Sequence, residues 1–355
     1  MSVRLAIVGG GISGLALAYY VTTRQHDASR FDQVCLFEAS PRLGGVIDTR
    51  LWESYVLEMG PDSLVDKPGG AVELIREIGL GDHLIPMNPD AKPPLMRTTD
   101  GWKPFPSTET RSYSLDVGVH LLVERLGDRL KSVDIKLNRP VSRVMRASTG
   151  WYLDGDDTPY DAMVLALPAS VIPLILEESG DPLSWCQHVQ YQPRAVVGAV
   201  YRPDSFQALD LVQHTGFVVS PQVGLGLTAV TWLSSKWPYR RRSPYIVLRT
   251  FWGPPGENPG AWSDSELLRR HQQALEALAG LRGAPLWHTI QRLETALPQV
   301  DGRVTIEPIA SDHGYLSFLG PYRIGPGVSD CVKAAAEEAD RVLAWGQQRT
   351  LGRRR

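Results

Sequence analysis

Apolar residues fall first into short unbroken runs and later into helical or alternating spacing. Leu5 to Val8 predict a buried strand, and "GISGLALAYYV" predicts a helix leaving a glycine turn. "DQVCLFEAS" reads as a second strand ending in an acid. Leu74, Ile75 and Ile78 mark an amphipathic helix, and Val119, Leu122, Val123, Leu126 and Leu130 mark another. "VDIKLNRPVSRVMRASTGWYLDG" alternates as strands, and "YDAMVLALPA" is a buried strand running into a proline turn. From Asp264 a helix places Leu267, Leu268, His271, Leu275 and Leu278 on one face. Val332, Ala335, Ala336, Ala339, Val342 and Leu343 repeat at helical spacing near the C-terminal end.

The 355 residues allow two domains or two intertwined lobes. With 43% hydrophobic and 21% charged residues, the chain can bury a globular core. A formal charge of -2 supplies no bulk positive field for nucleic acid. Cys35, Cys186 and Cys331 match no metal spacing or disulfide framework, which fits a reducing cytoplasm. A strand starting at Leu5 leaves no room for a signal peptide, and no apolar run is long enough to span a bilayer. Arg240 to Arg242 and the terminal "LGRRR" read as solvated loops and ends, so membrane contact is expected to be peripheral at most.

Gly9, Gly11 and Gly14 fit G-x-G-x-x-G between strand and helix. The first permits a tight turn, the second lets backbone approach a pyrophosphate, and the third packs helix against strand. The helix N-terminus offers free N–H groups to that phosphate. Glu38, 24 residues after Gly14, stands where a carboxylate would accept ribose hydroxyls.

Beyond Glu38, "EASPRLGG" carries Arg42, Gly44 and Gly45. It resembles the E-x-x-x-R-x-G-G extension of the FAD-dependent amine oxidase, phytoene desaturase and protoporphyrinogen oxidase superfamily. Near the other end, "FLGPYRIGPGVSDCVKAAAEEADRVL" brings Gly320, Gly325 and Gly327 to a helix for which Ser329 and Asp330 suit the N-cap. It resembles the G-x-G-(V/I)-x-D-C-(I/V) signature of protoporphyrinogen oxidases, with Cys331 read as a small buried residue. "LEMGPDSLVDKPGG", "TAVTWLSSKWPYRRRSPYIVLRTFWG" and "LPQV" resemble further stretches of bacterial protoporphyrinogen and coproporphyrinogen III oxidases. The resemblance runs in order along nearly the whole chain.

That resemblance implies an α/β fold: a Rossmann-like FAD-binding domain (residues 1–65, 112–168 and 300–355) and a smaller, discontinuous α+β substrate domain of mixed sheet (66–111 and 169–299). FAD contacts are expected from Gly9, Gly11, Ile12, Ser13, Gly14, Glu38, Ala39, Arg42, Gly44 and Gly45. Gly60, Pro61, Asp62, Ser63, Gly325, Gly327 and Val328 join them, with Val141 touching adenine through its backbone. The implied reaction is removal of hydride from a porphyrinogen methylene bridge by FAD, with dioxygen as final acceptor. Orientation suffices for this, so no catalytic side chain is expected. Propionates need basic partners, for which Lys67, Arg97 and Arg194 are candidates, while Leu227 and Trp232 are candidates to pack the macrocycle. His120, His188 and His313 lack metal-ligand partners in sequence and read as structural.

One stretch departs from the family. After "DGWKPFP", where relatives continue into a helical lobe, only Ser107 to Arg111 precede "SYSLDVG". Val117–Gly118 replaces a glycine pair, and "PQVDGR" lacks the expected Tyr and His. Three outcomes follow. The chain is a porphyrinogen oxidase with an open site, which a second copy or partner subunit would cover. Alternatively, it is a flavoenzyme for another amine or polyene, or a non-catalytic paralogue that binds FAD or a tetrapyrrole.

Overall fold

The computed structural model describes residues 3–26, 31–106, 110–177, 181–237, 245–295, 297–302, 304–311 and 314–352. His313 and Arg240 to Arg242 lie outside the described residues.

Two sheets organise the chain. The first has six strands in the order Val133–Lys136, Gln33–Phe37, Arg4–Val8, Ala162–Leu165, Gly314–Phe318 and Ile309–Ser311. The first five run parallel, and the last is antiparallel to its neighbour. Its inner strands are largely apolar and buried because both faces are covered. Leu5, Ile7, Val34, Leu36 and Val164 pack beneath the helices Ile12–Arg24, Ala71–Glu77, His120–Arg129 and Val328–Gly352. Ala6, Val8, Cys35, Phe37, Met163 and Leu165 face the opposite layer, where the hairpin Val144–Ala147/Gly150–Leu153 supplies Val144, Trp151 and Leu153.

The second sheet has seven strands: Trp287–Leu293, Arg194–Tyr201, Ile246–Trp252, Leu227–Trp232, Gly216–Val219, Leu95–Thr98 and Gly101–Pro104. It is mixed, with Gly216–Val219 and Leu95–Thr98 pairing parallel and the other neighbours antiparallel. One face buries Ala195, Val197, Tyr201, Trp232 and Leu248 against the helix Asp264–Ala279. Ser263 caps that helix through its hydroxyl, and Gly280 ends it in the left-handed region. His271 on this helix is wholly buried, with Nε2 3.0 Å from the Tyr201 hydroxyl and Nδ1 2.8 Å from Thr250 Oγ1. Burial, with a smaller contribution from His288, pushes its pKa down to about 3.

The other face of this sheet meets the hairpin Thr49–Trp52/Tyr55–Glu58. Val200 and Val247 pack on Tyr55 and Leu57 there. Gly198 leaves room for Leu57 and Met59, so the hairpin lies directly under the sheet. Among the described residues, no helix is long and apolar enough to cross a membrane, and no cluster of three or more His, Cys, Asp or Glu could hold a metal ion.

Candidate functional site

The chain leaves strand Arg4–Val8 into the helical layer and leaves its neighbour Ala162–Leu165 toward the opposite layer. Where neighbouring parallel strands diverge like this, a crevice opens beyond their carboxyl ends. A cavity of about 290 Å³ lies there, walled by Gly9, Gly11, Ile12, Ser13, Glu38, Gly44, Gly45, Pro61, Ala166 to Pro168, Tyr191, Gly320, Val328 and Cys331.

Each glycine of the first turn has its own reason. At Gly9 φ is +111°, and a side chain there would run into the Ala166 carbonyl. A Cβ on Gly14 would overlap the Gly9 carbonyl oxygen. At Gly11 a Cβ would meet nothing within 4 Å and would project into open space. The helix starting at Ile12 has no side-chain cap and no acidic residue in its first turn. Its positive end is therefore left without an internal counter-charge. Gly44 N donates to Gly10 O at 2.8 Å and ties the second glycine loop to the first. Glu38 accepts from Gly10 N at 2.7 Å and Ser40 N at 2.8 Å, which fixes its carboxylate at the cavity edge. The FAD implied by the sequence fits this arrangement: a side-chain-free floor and open helix amides for a diphosphate, with a fixed acid for ribose hydroxyls. Burial pushes the Cys331 thiol up to about 11, so this wall stays uncharged.

The other expected residues scatter. Ala39 is exposed beside Glu38. The Arg42 guanidinium clasps the glycine loop from outside, donating to the carbonyls of Leu43, Gly45 and Ile47. Val141 is half-buried on the hairpin-side core. Gly60 passes so close to the Val46 carbonyl that no side chain could replace its hydrogen. Pro61 reaches the cavity, but Asp62 turns away from it. Gly325 and Gly327 leave space for the Asp330 carboxylate, whose Oδ2 would lie 2.7 and 2.9 Å from a Cβ at either position.

Several expectations need correction. Ser329 and Asp330 do not cap the last helix, which already begins at Val328. Ser329 instead donates to Val65 O at 2.6 Å and accepts from Ala71 N. Lys67 Nζ lies 2.7 Å from Asp330 Oδ1, with its side chain half-exposed. Leu227 and Trp232 point into the core beneath helix Asp264–Ala279, away from the cofactor cavity. A β-bulge between Leu227 and Ala229 shifts the alternation, so two positions of opposite parity share one face. Arg97 stacks its guanidinium 5.6 Å from the Trp102 ring, with Nε buried and unpartnered. Arg194 keeps a buried, unpartnered Nη1, and burial lowers its pKa. His120 lies beside Glu124, with Nε2 3.9 Å from Oε1, and His188 is exposed.

Asp62 is the centre of a cluster that sequence reasoning did not assign. Arg249 binds one carboxylate oxygen and also donates to the carbonyls of Glu58 and Gly60. Lys236 Nζ and Trp237 Nε1 reach the other oxygen at 2.8 and 2.9 Å. Burial by itself would raise the Asp62 pKa, but the charges of Arg249 and Lys236 overcome it and hold the carboxyl well below the usual range. Both cations stand in "SSKWP…VLRTFWG", a stretch legible as a motif without showing what its charges face.

Across this cluster lies a second cavity of about 560 Å³. Its walls include Met87, Pro93, Phe105, Pro106, Thr110, Ser112, Phe217, Ala229 and Thr231, with Ser63 and Lys236 on the side of Asp62. Phe105, Pro106 and Thr110, between strands Gly101–Pro104 and Ser112–Leu115, therefore stand on its wall.

Comparison with known proteins places these features. The family model described as flavin containing amine oxidoreductase matches residues 102–343, and that of an NAD(P)-binding Rossmann-like domain matches 7–74. The chain is 22% identical to coproporphyrinogen III oxidase of Bacillus subtilis, covering 94% of this chain and 97% of that protein. It is 20% identical to coproporphyrinogen III oxidase of Staphylococcus aureus, covering 97% and 100%. The B. subtilis alignment occupies 463 positions against 355 residues here, so the relative carries more than a hundred residues without a counterpart in this chain. Among solved structures, a candidate protoporphyrinogen oxidase from Exiguobacterium sp. 255-15 superimposes with a TM-score of 0.81 at 24% identity, covering 97% and 99%. Putrescine oxidase bound to putrescine gives 0.72 at 15% identity, again covering 97% and 99%. These likenesses show the fold.

Proposed function

Because the chain belongs to the flavin containing amine oxidoreductase family and is an FAD-dependent oxidase, we propose that it oxidises a porphyrinogen to the porphyrin in haem biosynthesis, with dioxygen as acceptor. One arrangement carries this reading. A cavity of about 560 Å³ with mixed apolar and polar walls, large enough to receive part of a macrocycle, lies across Pro61–Ser63 from the cofactor cavity, in a chain aligned end to end with coproporphyrinogen III oxidases. In this reading the FAD lobe comprises residues 1–65, 112–168 and 300–355, and the protein works in the cytoplasm.

Bound FAD supplies the two-electron acceptor chemistry. The amides at Ile12 to Gly14 would donate to its diphosphate, the Gly9–Gly11 and Gly44–Gly45 loops would admit it closely, and Glu38 would hold ribose hydroxyls. Cys331 remains protonated and offers no competing nucleophile. The Asp62–Arg249–Lys236 cluster makes a stiff partition between cofactor and substrate spaces, which sets how closely a methylene carbon can approach. No acid–base pair is required of the protein.

The test is aerobic incubation of FAD-loaded protein with coproporphyrinogen III and protoporphyrinogen IX, following porphyrin fluorescence against autoxidation. Enzyme-dependent turnover supports the reading, and the faster substrate identifies the step. A trace equal to autoxidation from protein that retains FAD contradicts it.

A further inference from the structure

Two cations and one carboxylate meet at the partition between the two cavities. Asp62 is one carboxylate shared by two cations, Arg249 and Lys236, so these three groups together carry one positive charge. The Arg249 side chain is 4% exposed, that of Asp62 7% and that of Lys236 16%. Asp62 cannot compensate further, because Arg249, Lys236, Trp237 and the Ser63 hydroxyl already occupy its oxygens.

The two cations differ in what they face. Arg249 is closed in by the carbonyls of Glu58 and Gly60. Lys236 lines the 560 Å³ cavity, and among the described residues it is the charged side chain on a wall otherwise apolar or neutral. Its ammonium has three donors, of which two are spent on Asp62 Oδ2 at 2.8 Å and Ser63 Oγ at 2.7 Å.

We infer that Lys236 is the carboxylate-binding residue of this cavity, held in place by Asp62 and Ser63. The cavity thereby selects apolar molecules that carry a carboxylate. This rests on the reading that the cavity receives substrate, and it gives the acid-binding role to Lys236, which lines that cavity, and not to Lys67, which does not. Asp62 positions Lys236 without touching the ligand. The walls from Met87, Pro93, Phe105 and Phe217 take the apolar body, while the remaining ammonium proton takes the carboxylate.

Coproporphyrin III and its tetramethyl ester serve as stable probes, titrated into FAD-loaded wild type, Lys236→Met and Lys236→Arg while tryptophan fluorescence is followed. In Lys236→Met, Asp62 keeps its Arg249 partner, and retained FAD checks the fold. The expected result is acid binding weakened about tenfold or more in Lys236→Met, near wild type in Lys236→Arg, with ester binding equal in all three. Undiminished acid binding by Lys236→Met overturns the inference, as does parallel loss of acid and ester, or no acid binding by wild type. Porphyrinogen turnover on the same preparations separates the two readings. Lys236-dependent acid binding without turnover leaves the site standing and removes the oxidase reading. Turnover with an unchanged KM in Lys236→Met does the reverse.

Discussion

Asp62 and Arg249 form a buried ion pair between residues 187 apart, closing the turn after Tyr55–Glu58 onto the middle of strand Ile246–Trp252. Removing the carboxylate leaves two cations without their shared partner. Asp62→Asn should therefore cost about 3–5 kcal/mol, far more than a surface pair. Urea unfolding of the FAD-free protein measures it, and a loss under about 1 kcal/mol would show that the cations relax into solvent. The pair also sets an acid limit. The folded carboxyl titrates well below the unfolded value of 3.8, so its contribution is complete above that pH and is lost as pH falls below it.

A second pH dependence begins nearer neutrality. His271 has a folded pKa of about 3 against 6.5 for the free side chain. Below pH 6.5 the unfolded chain takes up a proton that the folded protein refuses, so stability falls as pH falls and is unaffected above. Its share approaches about 1.4 kcal/mol per pH unit between the two values. Denaturation midpoints from pH 7 to 5 should slope in wild type and flatten in His271→Gln. Equal slopes would place the proton uptake elsewhere.

Gly11 and Gly14 separate cofactor binding from folding. A Gly11→Val side chain enters open space, so the FAD-free protein should melt as wild type does while retained FAD falls about tenfold or more. Gly14→Ala drives a methyl into the Gly9 carbonyl and should lower the melting temperature of the FAD-free protein itself. Flavin absorbance and thermal melting read the two effects separately. Full FAD retention by Gly11→Val would move the diphosphate away from this helix.

Lys67→Met should leave porphyrinogen KM within about twofold of wild type and change stability by less than about 1 kcal/mol, because the lysine is half-exposed and paired with Asp330. A KM raised tenfold would return the propionate role to Lys67.

Patterns that are local in the chain were legible. Gly9, Gly11, Ser13, Glu38, Pro61 and Val328 share one cavity because strand, turn and helix each carry their own spacing signal. Facing within the second sheet was not. Leu227 and Trp232 lie on the helix side because a bulge resets the two-residue period, and alternation alone cannot reveal an extra residue. The Asp62 cluster was hidden for a different reason. Lys236 lies 174 residues from Asp62, and pairing over such a distance is set by the packing of the hairpin under the sheet. The shortened connector was visible in sequence, but that its Phe105, Pro106 and Thr110 line a cavity emerges only from the strands placed around them.

The most direct test is the anaerobic half-reaction. FAD-loaded protein is mixed with coproporphyrinogen III without oxygen, and flavin absorbance near 450 nm is followed, with dithionite as the full-reduction control. Substrate oxidation by the bound cofactor predicts bleaching together with porphyrin formation, and recovery of the absorbance when air is admitted. Absorbance that dithionite removes but neither porphyrinogen changes would contradict porphyrinogen oxidation by this chain.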